Sequence, residues 1–169
     1  MSEIRTRPTA RLLPFSPDGR LLLVRMHDPN VGGPEGHVLR EAYWVTVGGA
    51  VDEGETLEEA ARRELKEETG LDETTAKLGA PVWYTEHVLT VHGEKRLLQE
   101  TFFLANAFTT DLTHQGLEDS EREVIETMRW WEPAALLASP DTVFPTSLRA
   151  HLPALLRGEV PGTVIHIDP

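Results

Sequence analysis

Glu64, Glu67 and Glu68 are the residues of this chain whose type and spacing most directly suggest chemistry. In a helix advancing roughly 100° per residue, Glu68 falls about +40° and Glu67 about −60° from Glu64, so the three share one face. Leu57, Ala60, Ala61 and Leu65 point the same way and mark the side turned towards a core. Glu55, Glu58, Glu59, Arg62 and Lys66 fall on the opposite side, an ordinary water-facing surface. Three carboxylates turned partly inward repel one another and lose hydration. A hard divalent cation relieves both penalties. Mg²⁺ suits such a donor set because it prefers oxygen ligands, keeps several waters and borrows phosphate oxygens from a substrate.

The elements that must position these acids are readable around them. The spacing predicts a helix over Glu55 to Thr69, with Gly70 as its stop signal. Before it, "ARLLPF" and "RLLLVRM" flank Asp18-Gly19, a strong hairpin turn. "HDPNVGGPEGHVLRE" reads as a loop, and "AYWVTV" as one short strand leading into Gly48-Gly49. After the helix, "PVWYTEHVLTV" and "RLLQETFFLANAF" read as strands joined at "HGEK". "DLTHQGLEDSEREVIETM" reads as a polar connection with room for a helical turn, and "RWW" as a final strand. "EPAALLA" and "PTSLRAHLPALLRG" close the chain as helices, the second interrupted or kinked at Pro153. Strands on both sides of a helix, with more helix at the end, predict an α/β fold: a central mixed sheet sandwiched by helices.

Composition sets the outer bounds. At 169 residues, with 40% apolar and 26% charged, the chain suits a single domain, here expected over 1–169. It contains no cysteine, which excludes disulfides and thiolate metal sites and fits a reducing cytoplasm. "MSEIRTRPTA" has no apolar signal core and no segment approaches a membrane span, so the expected location is cytoplasmic. The formal net charge of −12, with no basic groove in view, speaks against nucleic acid as a partner.

The segment Gly49 to Leu71 resembles the Nudix box, G-x5-E-x7-R-E-U-x-E-E-x-G-U with U aliphatic. Gly49, Glu55, Arg63, Glu64, Leu65, Glu67, Glu68, Gly70 and Leu71 each occupy their motif position. Seven fixed positions would match by chance on the order of once in 10⁸ placements, so the motif is specific. "WVTVGG" and "RWWEPAAL" are similar to the strand that enters the box and to the strand and helix that close the fold, although many members have Pro where Val47 stands. The resemblance implies a Nudix-type α/β/α sandwich and hydrolysis of a diphosphate linkage, commonly in a nucleoside diphosphate derivative, by water attack at phosphorus with Mg²⁺ or Mn²⁺. It implies that Glu64, Glu67 and Glu68 are metal ligands, with the Gly49 carbonyl a further one. Arg63 would orient a box carboxylate, and Glu55 would salt-bridge to Arg63 or brace the loop. Glu64 is the first choice for helping to activate water. Many relatives dimerise, which leaves a homodimer open. Two competitors differ in kind. The isopentenyl diphosphate isomerases of the family use a catalytic cysteine that this chain lacks, and a nucleotide-binding module without catalysis would usually show a damaged box.

Outside the box, Glu100 is the leading candidate for a fourth acid, because a charge inside the apolar "LLQETFFL" is unusual; an outward-facing strand residue is the bland alternative. Glu121 and Glu123 are second choices, each better read as solvated. Arg25, at a strand end, could hold a substrate phosphate or simply form a surface ion pair. Trp83 and Tyr84 are adjacent in a strand and so face opposite ways, which offers one of them to a substrate pocket. His27, His37, His87 and His92 show no metal-ligand spacing and receive no role. The selectivity elements expected are the loop at "HDPNVGGPEGH" and the "HGEK" hairpin.

Overall fold

The structure, a computed structural model, describes residues 4–27, 41–113 and 125–169, the side chains of Val91, Ile125 and Glu126 excepted. Strand β1 (Arg5–Phe15) and strand β2 (Leu21–Met26) meet at the Asp18-Gly19 turn, where Gly19 has φ +82° and its N–H bonds the Ser16 carbonyl. They pair only at that end, Phe15 with Leu21. Farther back, β1 exchanges β2 for β4 (Val47–Ala50), with Arg11 opposite Gly48 and Ala10 opposite Gly49. Strand β2 in turn pairs with β3 (Tyr43–Val45) and β7 (Ile125–Trp131).

The stretch "AYWVTV" is therefore not one strand followed by glycines. It breaks at the buried Thr46, and Gly48 and Gly49 lie within β4. The break is where the chain crosses from one partner to another, a tertiary demand that local propensity does not encode. Gly48 is glycine for two reasons: its φ is +143°, and a Cβ there would sit 2.2 Å from the Ala10 carbonyl oxygen.

The other edge of β1 pairs in parallel with β6 (Glu94–Ala107), from Arg5 opposite Arg96 to Phe15 opposite Asn106. Strand β5 (Ala76–Val91) forms a long hairpin with β6, irregular around Pro81, which has no N–H to give the ladder. The turn of that hairpin is His92-Gly93, both at positive φ, so Glu94 and Lys95 of the expected "HGEK" turn belong to β6. Likewise "IETM" joins "RWW" in β7, while residues 114–124 lie outside the described residues. Two-residue strands β8 (Val143–Phe144) and β9 (Ile165–His166) complete the order β8-β3-β2-β1-β6-β5-β9, with β4 on β1 and β7 on β2.

Helix α1 (Leu57–Thr69) covers one face of this sheet; α2 (Pro133–Ala138) and α3 (Leu148–Leu156) cover the other. Period-two alternation feeds both cores. Ala10, Leu12, Leu22, Val24 and Phe103 pack under Ala60, Ala61 and Leu65 of α1. Leu13, Leu21, Leu23, Trp83 and Phe102 pack under Leu136, Leu148 and Leu152. The expected α/β/α arrangement around a mixed sheet is thus present. Two details differ from expectation. Pro153 lies inside α3 without ending it, and Leu57, although on the inward stripe of the wheel, is exposed and borders a pocket with Pro81, Tyr84 and Phe103.

Candidate active site

Helix α1 is fixed at both ends. At its start, Glu59 N–H donates to Thr56 Oγ1 at 3.1 Å and Thr56 N–H to Glu59 Oε1 at 3.3 Å, a reciprocal capping box. At its end, Gly70 adopts φ +78° and its N–H bonds the Lys66 carbonyl at 2.9 Å. The helix begins at Leu57 rather than Glu55, which leaves Glu55 in the preceding turn and free to fold back.

Glu55 folds back onto Arg63. Arg63 Nε donates to Glu55 Oε2 at 2.8 Å and Nη2 to Glu55 Oε1 at 2.9 Å, a bidentate pair. The same guanidinium reaches the Ala50 carbonyl at 2.9 Å, Glu64 Oε1 at 2.9 Å and Glu67 Oε2 at 3.2 Å. One planar cation therefore ties the loop, the end of β4 and two carboxylates of α1 together. Hydrogen bonding from Arg63 holds the Glu55 carboxyl down at about 2, and Glu55 and Glu64 raise the Arg63 pKa above its ordinary value.

Glu64 and Glu68 are buried, at 6% and 7% exposure, whereas the Glu67 side chain is 37% exposed. Gly48 N–H donates to Glu68 Oε2 at 3.3 Å. A Cβ on Gly49 would lie 2.5 Å from Glu64 Oε1, so the β4 backbone rests directly against that carboxylate. Among the described residues no three His, Cys, Asp or Glu side chains are gathered tightly enough to cage an ion. Arg63 draws Glu64 and Glu67 while Gly48 draws Glu68. The donors are nonetheless hard oxygens on one helix face, beside a strand backbone that only glycine allows so close. Their chemistry fits a hard divalent ion.

A second charged cluster involves the other candidate acid. Glu100 is 8% exposed, so it is not the outward-facing residue of the bland reading. Its Oε2 lies 2.6 Å from Arg11 Nε, and its Oε1 accepts from Thr85 Oγ1 at 3.2 Å and lies 2.9 Å from His87 Nε2. Burial alone would raise its pKa, but the Arg11 charge, the His87 hydrogen bond and the Arg11 hydrogen bond hold it at about 2. Glu100, expected as a fourth acid, is thus placed in an ion pair with Arg11 rather than among the box carboxylates. Burial also opposes the charge on Arg11, yet Glu100 first, then Glu68 and Glu64, raise its pKa. Arg11 thus senses both clusters. Sequence reading missed Arg11, Thr85 and His87; the available signal was a second lone charge, Arg11, inside an apolar strand.

Of the remaining candidates, Trp83 is 1% exposed, packed against Phe102 and His151. Of the two adjacent aromatics, Trp83 is thus the one turned into the core. Tyr84 faces the other way, packs at a tilt against the His166 ring with centroids 4.9 Å apart, donates its hydroxyl to Glu86 at 2.8 Å and borders an open pocket with Leu57, Pro81 and Phe103. Arg25 is exposed near the end of β2, opposite Trp44 and Thr127. Glu121, Glu123 and His37, with most of the "HDPNVGGPEGH" loop, lie outside the described residues.

The NUDIX domain family matches this chain over residues 5–152. An RNA pyrophosphohydrolase of Caulobacter vibrioides is 30% identical over 153 residues, covering 82% of this chain and 77% of that protein. Among solved structures, the E. coli ORF135 protein superposes with a TM-score of 0.62 at 22% identity, over 95% of this chain and 96% of that one. The E. coli dihydroneopterin triphosphate pyrophosphohydrolase gives a TM-score of 0.62 at 19% identity, over 92% and 99%. At these identities the structural likenesses speak to the fold.

Proposed function

This chain belongs to the Nudix family and is a pyrophosphohydrolase, and from that premise we propose that it hydrolyses a phosphoanhydride bond in a small nucleotide-derived diphosphate with the help of Mg²⁺ or Mn²⁺. Family members generally use divalent ions. Here Glu64, Glu67, Glu68 and the Gly49 carbonyl would hold the ion. When bound, it supplies positive charge to the diphosphate oxygens and makes a nearby water more acidic. Glu64, buried and oriented by Arg63, accepts the proton as the water oxygen bonds to phosphorus and the anhydride P–O bond breaks. The leaving phosphate departs with the anhydride oxygen. Arg25 would hold a terminal phosphate, and Tyr84 would contact the organic part.

The observation that supports this reading most is the Arg63 fork, which joins Glu55, Ala50, Glu64 and Glu67 in one network. A net charge of −12 favours a compact substrate over a polymer whose phosphates need a basic groove. The same reading takes 1–169 as one domain at work in the cytoplasm; among the described residues no helix is long and apolar enough to cross a membrane.

The test is chromatographic detection of the cleaved products (nucleoside and other phosphomonoesters, pyrophosphate or phosphate) from a panel of nucleoside triphosphates, dinucleoside polyphosphates, nucleotide sugars, ADP-ribose, coenzyme A and a 5′-triphosphorylated RNA, each with and without Mg²⁺. Metal-dependent cleavage of a small member is expected, falling by at least about 100-fold in Glu68→Gln with folding retained. Cleavage of the RNA alone would overturn the substrate class, and no cleavage at all would favour the nucleotide-binding module.

A further inference from the structure

Arg11 lies far outside the Nudix box in sequence, yet it meets the box strand directly. Its Nη1 donates to the Thr46 carbonyl and to the Gly48 carbonyl, each at 3.3 Å. A Cβ on Gly48 would sit 2.9 Å from Arg11 Cδ, so the stem of the arginine rests on the glycine backbone. Gly48 therefore gives its carbonyl to Arg11 and its N–H to Glu68. Arg11 in turn is held at Nε by Glu100, whose other oxygen is occupied by Thr85 and His87. The contacts run without a gap from His87 through Glu100, Arg11 and Gly48 to Glu68.

We propose that Arg11, clamped by Glu100, is a positioning residue of the hydrolase: it sets where β4 presents Gly48 and Gly49 to Glu68 and Glu64. The proposal rests on the reading of those glutamates as metal ligands. A planar fork is suited to the task, because one guanidinium can hold a carboxylate and two carbonyls at once. Lysine offers the same charge from a single nitrogen and cannot reproduce that geometry. A residue that supports ligands in this way changes metal affinity typically by 10–100-fold when altered.

The experiment compares Arg11→Lys and Glu100→Gln with the wild type. Mn²⁺ binding is followed by titration, the Gly48 amide by NMR in metal-free protein, and hydrolysis as separate kcat and KM. The expected result is Mn²⁺ affinity weakened about 10-fold in both variants, a displaced Gly48 amide signal, and kcat lowered with KM changed less than about two-fold. Variants that melt earlier but bind Mn²⁺ as the wild type does, with Gly48 unmoved, would reduce the pair to a fold-stabilising contact and overturn the proposal. If Arg11→Lys does not fold, Glu100→Gln decides, since it keeps the shape of the acid. A wild type that takes up no Mn²⁺ would sink the proposed function itself; a wild type that binds while the variants bind equally would sink only the role of Arg11.

Discussion

Arg63 shows how much one side chain can organise. Its five hydrogen bonds, two to Glu55 and one each to Ala50, Glu64 and Glu67, need a rigid planar donor set. Arg63→Lys keeps the charge and loses the fork. The expected outcome is a 10–100-fold fall in kcat/KM by steady-state kinetics, with the helix still formed. At this scale the shared face of Glu64, Glu67 and Glu68 was legible, because spacing along one helix sets it; that Glu55 folds back on Arg63 from the preceding turn is a matter of tertiary geometry. The surrounding residues were legible only in part. Glu100 stood out as a charge in an apolar strand, but Arg11, its partner 89 residues away, could be identified only once β1 and β6 were adjacent. Alternation separated Trp83 from Tyr84 without saying which was core; that depended on where α2 and α3 lie.

At the scale of elements, α1 depends on its ends. Thr56→Ala removes one capping hydrogen bond and should cost about 1 kcal/mol in denaturant unfolding. Gly70→Ala should cost more, since the residue keeps φ +78° and its new Cβ would lie 2.0 Å from Thr113 Cγ2. Equal losses would mean that the C-terminal cap yields easily. Only the C-terminal cap was read from the sequence, as Gly70; the helix was expected from Glu55, and the Thr56–Glu59 capping box went unread. The split of β3 from β4 was not, because the change of partner at Thr46 is decided by β1 and β2 together. Strands β8 and β9, two residues each, are too short for any periodicity to register.

The whole molecule carries a net charge of −12, while the proposed substrate is itself an anion. Its approach is opposed by the mean field, which salt screens within about 8 Å at 0.15 M compared with about 30 Å at 0.01 M. Raising ionic strength across that range should therefore increase kcat/KM and leave kcat nearly constant. A decrease would show that the field at the pocket mouth is positive despite the overall balance. The topology has a consequence of another kind. Strand β1 is laid down first, yet its parallel neighbour runs from Arg96 opposite Arg5 to Asn106 opposite Phe15, ninety-one residues later. During synthesis β2, β4 and α1 can pair with and cover the "ARLLPF" segment early, whereas its parallel edge must wait for the β5–β6 hairpin, a long-range closure that slows folding.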